Sequence, residues 1–202
     1  MSHPDTEAAR AADPLRAADW PVRTERLLLR RATAADIDAM WRFRRLPEVS
    51  MWGGGAADTL EGHRARLRRL APSLVAVVLP GAEETVIGDL KIKVEDAWAQ
   101  SEVTAAARNV QAEIGWSLDP AYQGQGFATE AVRAAIDLCF GPLGLRRVYA
   151  ECFAANERSW RLMERLGMRR EAHTIRDSLH RSGEWMDGFT YALLADEWQP
   201  SA

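Results

Sequence analysis

Apolar positions along this 202-residue chain change their period several times, and each change marks a boundary between elements. Residues 26–30, Arg-Leu-Leu-Leu-Arg, read as a first strand, and Thr33 then opens a helix carrying Ile37, Met40, Trp41 and Arg44. Gly53, Gly54 and Gly55 interrupt the helical pattern. A second helix starts at Asp58, with Leu60, Leu67 and Leu70 on one side. Its basic run of Arg64, Arg66, Arg68 and Arg69 is expected to form a solvated face. Residues 74–79 are continuously apolar, as in a strand covered on both faces. After a Pro80-Gly81 turn, residues 86–94 alternate, with Leu90, Ile92 and Val94 opposite Asp89, Lys91 and Lys93.

Residues 95–109 are polar and alanine-rich and are expected to form a loop. A strand over 112–118 stops at Asp119-Pro120. The long helix over 126–140 sets Ala128, Val132, Ala135, Ile136, Cys139 and Phe140 on one stripe, and Gly141-Pro142 ends it. Residues 147–153 read as a strand, and Asn156 opens a helix with Ser159, Leu162, Met163 and Leu166 on one face and Gly167 as its stop. Strands over 173–179 and 185–194, joined through Ser182-Gly183, close the pattern. This order predicts one mixed α/β domain over residues 20–202. Residues 1–19 show no sustained period and are expected to be a mobile extension.

Composition narrows the class. Apolar residues make up 47 % and charged residues 27 %, and the formal net charge is -3, so a nucleic-acid partner is not expected. No apolar run approaches the ~20 residues that span a bilayer, and residues 1–19 lack the apolar core of a leader, so a cytoplasmic location without a membrane partner is expected. Cys139 and Cys152 sit in apolar stretches and read as core residues, and the four histidines have no metal-ligand spacing. No metal is expected.

The segment Gln123-Gly124-Gln125-Gly126-Phe127-Ala128-Thr129 lies between a strand end and a helix start. Its small residues let a backbone approach a bulky anion, and the first-turn N–H groups of a helix have no internal partner. A diphosphate suits such a place. A dinucleotide fingerprint wants a third glycine where Thr129 stands, and a phosphate-binding P-loop wants a lysine that this segment lacks. A glycine-rich turn that only caps a helix is the structural alternative.

Gln123-x-x-Gly126-x-Ala128 at this junction resembles the acyl-CoA signature of the GNAT superfamily of N-acetyltransferases. The similarity continues in Thr24-Glu25-Arg26-Leu27-Leu28-Leu29-Arg30, in Ile87-Gly88, in residues 156–167, and in Gly183-Glu184-Trp185-Met186-Asp187 with Tyr191. Together these resemble the branch that contains the ribosomal-protein N-terminal acetyltransferases. The resemblance implies a central, mixed, mostly antiparallel sheet of six or seven strands flanked by about four helices. It implies acetyl-CoA as acyl donor, with coenzyme A as product, and an amine-bearing acceptor that is a peptide or protein N-terminus or a small molecule.

Site residues follow from the same resemblance. Backbone groups of Trp116, Ser117 and Leu118 would bind pantetheine, and the segment from Gln123 through Gly124, Gln125, Gly126, Phe127 and Ala128 to Thr129 would hold the pyrophosphate. Asn156 would bond the pantetheine, although its position also suits a plain helix N-cap. Ser159 would face the sulfur and protonate the leaving thiolate, because Met163 stands where many relatives carry a tyrosine. Met168 replaces an aromatic residue, which implies a packing change only. Glu113 is the candidate general base, with an exposed strand-end carboxylate as its alternative reading. An N–H near Leu118 would face the oxyanion. A lysine acceptor, pKa ~10.4, costs about 3.5 kcal/mol more to deprotonate than an α-amine at ~7.8, so a base is more pressing for lysine.

Trp41, Trp52 and Trp185 are candidate acceptor-pocket residues, with core packing as the alternative for each. The first two helices, the triple glycine and the 176–185 hairpin are expected to wall the acceptor side, the triple glycine reading as a mobile lid or an ordinary connection. Two other readings stand beside the acetyltransferase: a catalytically weak acyl-CoA-binding or sensing module, and a nucleotide-binding domain of another kind. The pattern leaves the oligomeric state open, a homodimer included.

Overall fold

The computed structural model describes residues 13–81 and 84–200. One sheet contains β1 (Val22–Arg23), β2 (Leu28–Arg31), β3 (Leu74–Leu79), β4 (Thr85–Glu95), β5 (Gln111–Leu118), β6 (Arg147–Phe153), β7 (Arg169–Leu179) and β8 (Trp185–Leu194). Their spatial order is β1-β2-β3-β4-β5-β6-β8-β7. The α-helices among the described residues are α1 (Ala34–Arg44), α2 (Pro47–Ser50), α3 (Leu60–Leu70), α4 (Phe127–Phe140) and α5 (Glu157–Arg165).

Neighbouring strands pair antiparallel except β5 with β6, and α4 provides the crossover that a parallel pair requires. That pairing is brief. Gln111, Ala112 and Glu113 sit opposite Arg147, Val148 and Tyr149, and no ladder joins the strands beyond Glu113. The rest of β5 stays paired to β4, and the rest of β6 stays paired to β8. The sheet therefore opens from Glu113 toward Leu118, leaving one edge of β5 without a strand partner.

Helices cover both faces. Ala131, Val132, Ala135, Ile136 and Cys139 of α4 join Leu162, Met163 and Leu166 in one apolar cluster with Ile92, Ile114 and Val148 of the sheet. Small alanines let α4 lie close to the strands. Ile37, Met40 and Phe43 of α1 and Leu67 of α3 form the opposite cluster with Leu28, Ala76 and Val78. A complete capping box, Thr33 with Asp36, starts α1, and Thr59 Oγ1 accepts the Gly62 N–H at 3.1 Å to start α3.

The architecture adds two pieces to the expected seven strands and four helices. β1 is two residues long, too short for alternation to register, and α2 is a single turn begun by Pro47. β7 begins at Arg169, earlier than 173, because Arg169 and Arg170 pair with Ala192 and Tyr191 while remaining exposed. Pairing rather than apolar pattern makes them strand. Within the expected loop 95–109, Ser101–Ala107 forms a 3-10 helix.

The proposed extension also needs correction. Leu15, in a 3-10 turn over Pro14–Ala17, is 1 % exposed in the α4 cluster, and its carbonyl accepts the Trp20 indole N–H at 2.8 Å. Asp13 accepts both terminal nitrogens of Arg31 at 3.0 Å. Residues 13–19 thus belong to the fold, since an apolar anchor stands among them. Residues 1–12 lie outside the described residues.

Candidate active site

The turn between β5 and α4 presents main chain rather than side chains. Gly124 and Gly126 adopt left-handed backbone, φ +75° and +84°, and Gly126 stands at the N-cap without a side-chain cap. A residue with a Cβ is strained there. The first helical hydrogen bond runs from the Glu130 N–H to the Gly126 carbonyl at 3.0 Å. Among the described residues, the N–H groups of Gly124, Gln125, Gly126, Phe127, Ala128 and Thr129 meet no acceptor. They stand at the positive end of α4.

Side chains fix this turn from both ends. Glu130, in the first turn of α4, accepts the Thr24 hydroxyl at 2.6 Å, the Arg26 N–H at 2.8 Å and the Arg26 guanidinium at 2.7 Å. Burial raises the Glu130 carboxyl, but the donors from Thr24 and Arg26 outweigh it and hold the group below its ordinary value. The same guanidinium donates to the Gln125 carbonyl at 2.9 Å and lies 4.5 Å above the Phe127 ring. A Cβ on Gly126 would stand 3.2 Å from Arg26 Nη2, so cation and glycine share one narrow space. At the other end, Gln123 donates to the Leu118 carbonyl at 3.1 Å and accepts Arg158 at 2.8 Å.

The open edge of β5 carries Trp116, Ser117 and Leu118. Gly88 of β4 permits this arrangement, because a Cβ there would fall 2.6 Å from the Ser117 carbonyl oxygen. Asp119 ties the strand end to α1 by accepting Arg42 at 2.8 Å, and it also accepts the Ala121 N–H at 3.0 Å. Glu113 stands at the last rung before the strands part, ion-paired with Lys91. Tyr149, opposite it, donates to Glu95.

Asn156 and Ser159 come from the other side of the opening, at the start of α5. Asn156 occupies the N-cap but makes no capping bond; its amide donates to Ser159 Oγ at 3.0 Å. With that lone pair engaged, the serine hydroxyl can itself donate. Met163 is buried in the core and Met168 packs beside it.

The three tryptophans stand at separate places. Trp52 packs on Phe153, the last residue of β6, and on His180, with ring centroids 5.9 and 5.4 Å away. His180 donates to the Met51 carbonyl at 3.0 Å and Arg181 to the Gly53 carbonyl at 2.9 Å, so the β7–β8 tip rests on the glycine segment. Trp41 packs on His63 at 5.3 Å. Trp185 is 58 % exposed and faces an open depression with Arg176, Glu184 and Met186. No aromatic contact joins any two of them.

Three features escaped the sequence reading. The Thr24–Arg26–Glu130 clamp joins residues a hundred positions apart. Asp89, a polar position in an alternating strand, is 1 % exposed because Arg44 of α1 pairs with it. Arg66 is half-buried rather than solvated; its spacing from His63, Leu67 and Leu70 is i, i+3, i+4, i+7, which signals the inner face of α3. Cys139 and Cys152 lie in or against the core, and burial pushes their thiols up to about 12 and about 11, away from nucleophilic use. Among the described residues no helix is long and apolar enough to cross a membrane.

Comparison with known proteins gives the fold its lineage. The profile of the Acetyltransferase (GNAT) domain matches residues 26–169. The uncharacterized N-acetyltransferase YnaD of Bacillus subtilis is 40 % identical over 86 residues, 43 % of this chain and 50 % of that protein. The [ribosomal protein uS5]-alanine N-acetyltransferase of Escherichia coli is 33 % identical over 87 residues, 43 % of this chain and 44 % of that protein. The chain thus matches about half the length of these relatives. A GNAT-family acetyltransferase structure from Bacillus anthracis superposes with a TM-score of 0.74 at 28 % identity, covering 88 % of this chain and 99 % of that one. With a profile matched across most of the sequence, the chain belongs to the GNAT acetyltransferase family.

Proposed function

We propose that this protein transfers an acetyl group from acetyl-CoA to a primary amine within a ternary complex. The observation that carries this reading is the run of free N–H groups over 124–129 beside the unpaired edge of β5. The turn fits a diphosphate: six donors lie on one segment, two glycines hold left-handed backbone, and Arg158 adds positive charge beside Gln123, whereas the charge of Arg26 is met by Glu130. Residues 123–129 would hold the pyrophosphate, and Trp116, Ser117 and Leu118 would pair with the pantetheine amides as a strand would. When bound, acetyl-CoA supplies an activated thioester carbonyl and a thiolate leaving group.

The chain's own residues would then manage protons and position. Glu113 accepts the proton that the amine loses on attack, directly or through water, with Lys91 holding its carboxylate in place. Ser159, oriented by Asn156, donates its hydroxyl hydrogen to the departing sulfur and relays a solvent proton to it, so that no serine alkoxide is left behind. An N–H near Leu118 stabilises the oxyanion. The acceptor amine belongs to a peptide or protein N-terminus, or to a small molecule; the relative named for ribosomal protein uS5 alanine favours a peptide.

Two measurements test the reading. Acetyl-CoA raises the melting temperature whereas NAD and ATP do not, and Gly126→Val abolishes the rise because a β-branched residue is strained at φ +84° and crowds Arg26, which displaces the N–H groups of the turn. Free CoA thiol then appears with at least one acceptor among amino acids, peptides, polyamines and aminoglycosides. A thermal shift without thiol release from any acceptor identifies a sensing module instead.

A further inference from the structure

A narrow pocket lies between α1, α3 and the glycine segment, lined among others by Trp41, Arg44, Ser50, Gly55, Arg66 and Ser117. Ser117 connects it to β5, the strand whose other edge is open. Arg44 is already engaged with buried Asp89. Arg66 is half-buried and pairs with no carboxylate among the described residues. Burial first, then Arg44, Arg181 and Arg69, press its guanidinium below its ordinary value, and nearby Asp89 only partly compensates. Its Nε would stand 2.7 Å from a Cβ on Gly55, so the absence of a side chain at 55 makes room for the cation under the loop.

A cation withdrawn from water without a counter-ion is unfavourable, and a guanidinium presents a planar fork that matches a carboxylate. We infer that the acceptor is a primary amine that also carries a carboxylate, gripped by Arg66 beneath the glycine segment while the amine reaches past Ser117 toward β5. This inference rests on the acetyltransferase reading and names its substrate class. Like charge at Arg66 and Arg181 turns away polyamines and aminoglycosides. The pocket volume is ≈10 Å³, about one water, so a carboxylate enters when residues 53–55 lift. Three consecutive glycines make that movement easy, and the contacts from His180 and Arg181 reset it.

The test compares aspartyl-alanine amide with asparaginyl-alanine amide, which match in size and differ in charge. Phosphoseryl-alanine amide and spermidine are further arms. With acetyl-CoA, wild type should favour the aspartyl over the asparaginyl peptide by about tenfold or more in kcat/KM. Arg66→Gln should bring that ratio near one while retaining the acetyl-CoA thermal shift, which shows that the variant folds. Equal use of acid and amide, or a preference that survives Arg66→Gln, overturns the inference and leaves the acetyltransferase reading standing. Preference for phosphoserine over aspartate overturns the carboxylate assignment. If no acceptor releases thiol, the acetyltransferase reading falls, and calorimetric binding of the two peptides to wild type and Arg66→Gln still decides the role of Arg66.

Discussion

Ser159 Oγ accepts the Asn156 amide, which leaves the hydroxyl hydrogen to point elsewhere. That geometry suits the proposed role of Ser159 as proton donor. A thiolate of pKa ~8.5 needs little help in leaving, so the gain from Ser159 lies at the low end of general acid catalysis. Ser159→Ala is expected to lower kcat about 10²-fold while acetyl-CoA binding, followed by thermal shift, stays unchanged. An unaltered kcat would remove the serine from the reaction. Both residues were visible in the sequence through their spacing and their resemblance to the family. Arg66 was not, because a run of four arginines within six residues reads as a solvated face. Only the positions of His63, Leu67 and Leu70 reveal that one of the four turns inward, toward a pocket that a second element closes.

Among the elements, α4 depends most on a contact that no local pattern announces. Glu130 in its first turn joins the β1–β2 turn through Thr24 and Arg26, and so fixes the helix N-terminus against that turn. Removing the charge tests this. The folded-state pKa of Glu130 lies below the unfolded value of ~4.3, so its contribution is complete above that value and is lost as pH falls toward the folded pKa. Glu130→Gln should therefore be less stable by about 1–2 kcal/mol at pH 7. The gap should hold down to about pH 5 and shrink as pH falls from there toward the folded pKa, as urea titrations across pH would show. A gap that persists unchanged at pH 3 would mean that packing, not charge, joins the elements. A strand such as β3 could be bounded from sequence because its apolar run ends at Pro80-Gly81. β1 could not, for two residues show no period, and the opening of β5 from β6 is a property of pairing, which no single strand encodes.

Across the whole molecule, the sheet consists of two portions that share only three rungs, Gln111 to Glu113 against Arg147 to Tyr149. One portion contains β1 to β5 with α1 and α3. The other contains β6 to β8 with α5, and α4 packs against both. Leu15 explains why the chain before β1 matters to this arrangement: it packs in the cluster that holds α4, so the N-terminal segment steadies the helix from behind. A ligand that grips the start of α4 and fills the opening would add a further tie between the two portions. Hydrogen exchange measures this directly. The amides of residues 124–129 have no acceptor among the described residues and should exchange rapidly in the free chain. At acetyl-CoA concentrations 100 times Kd, where about 1 % of molecules remain free, their exchange should slow by roughly 100-fold. The exposed hairpin tip at 181–184 should exchange as before, because it lies outside the opening. Protection confined to the hairpin, with residues 124–129 still fast, would place the thioester in the depression beside Trp185 and separate it from the parted strands altogether.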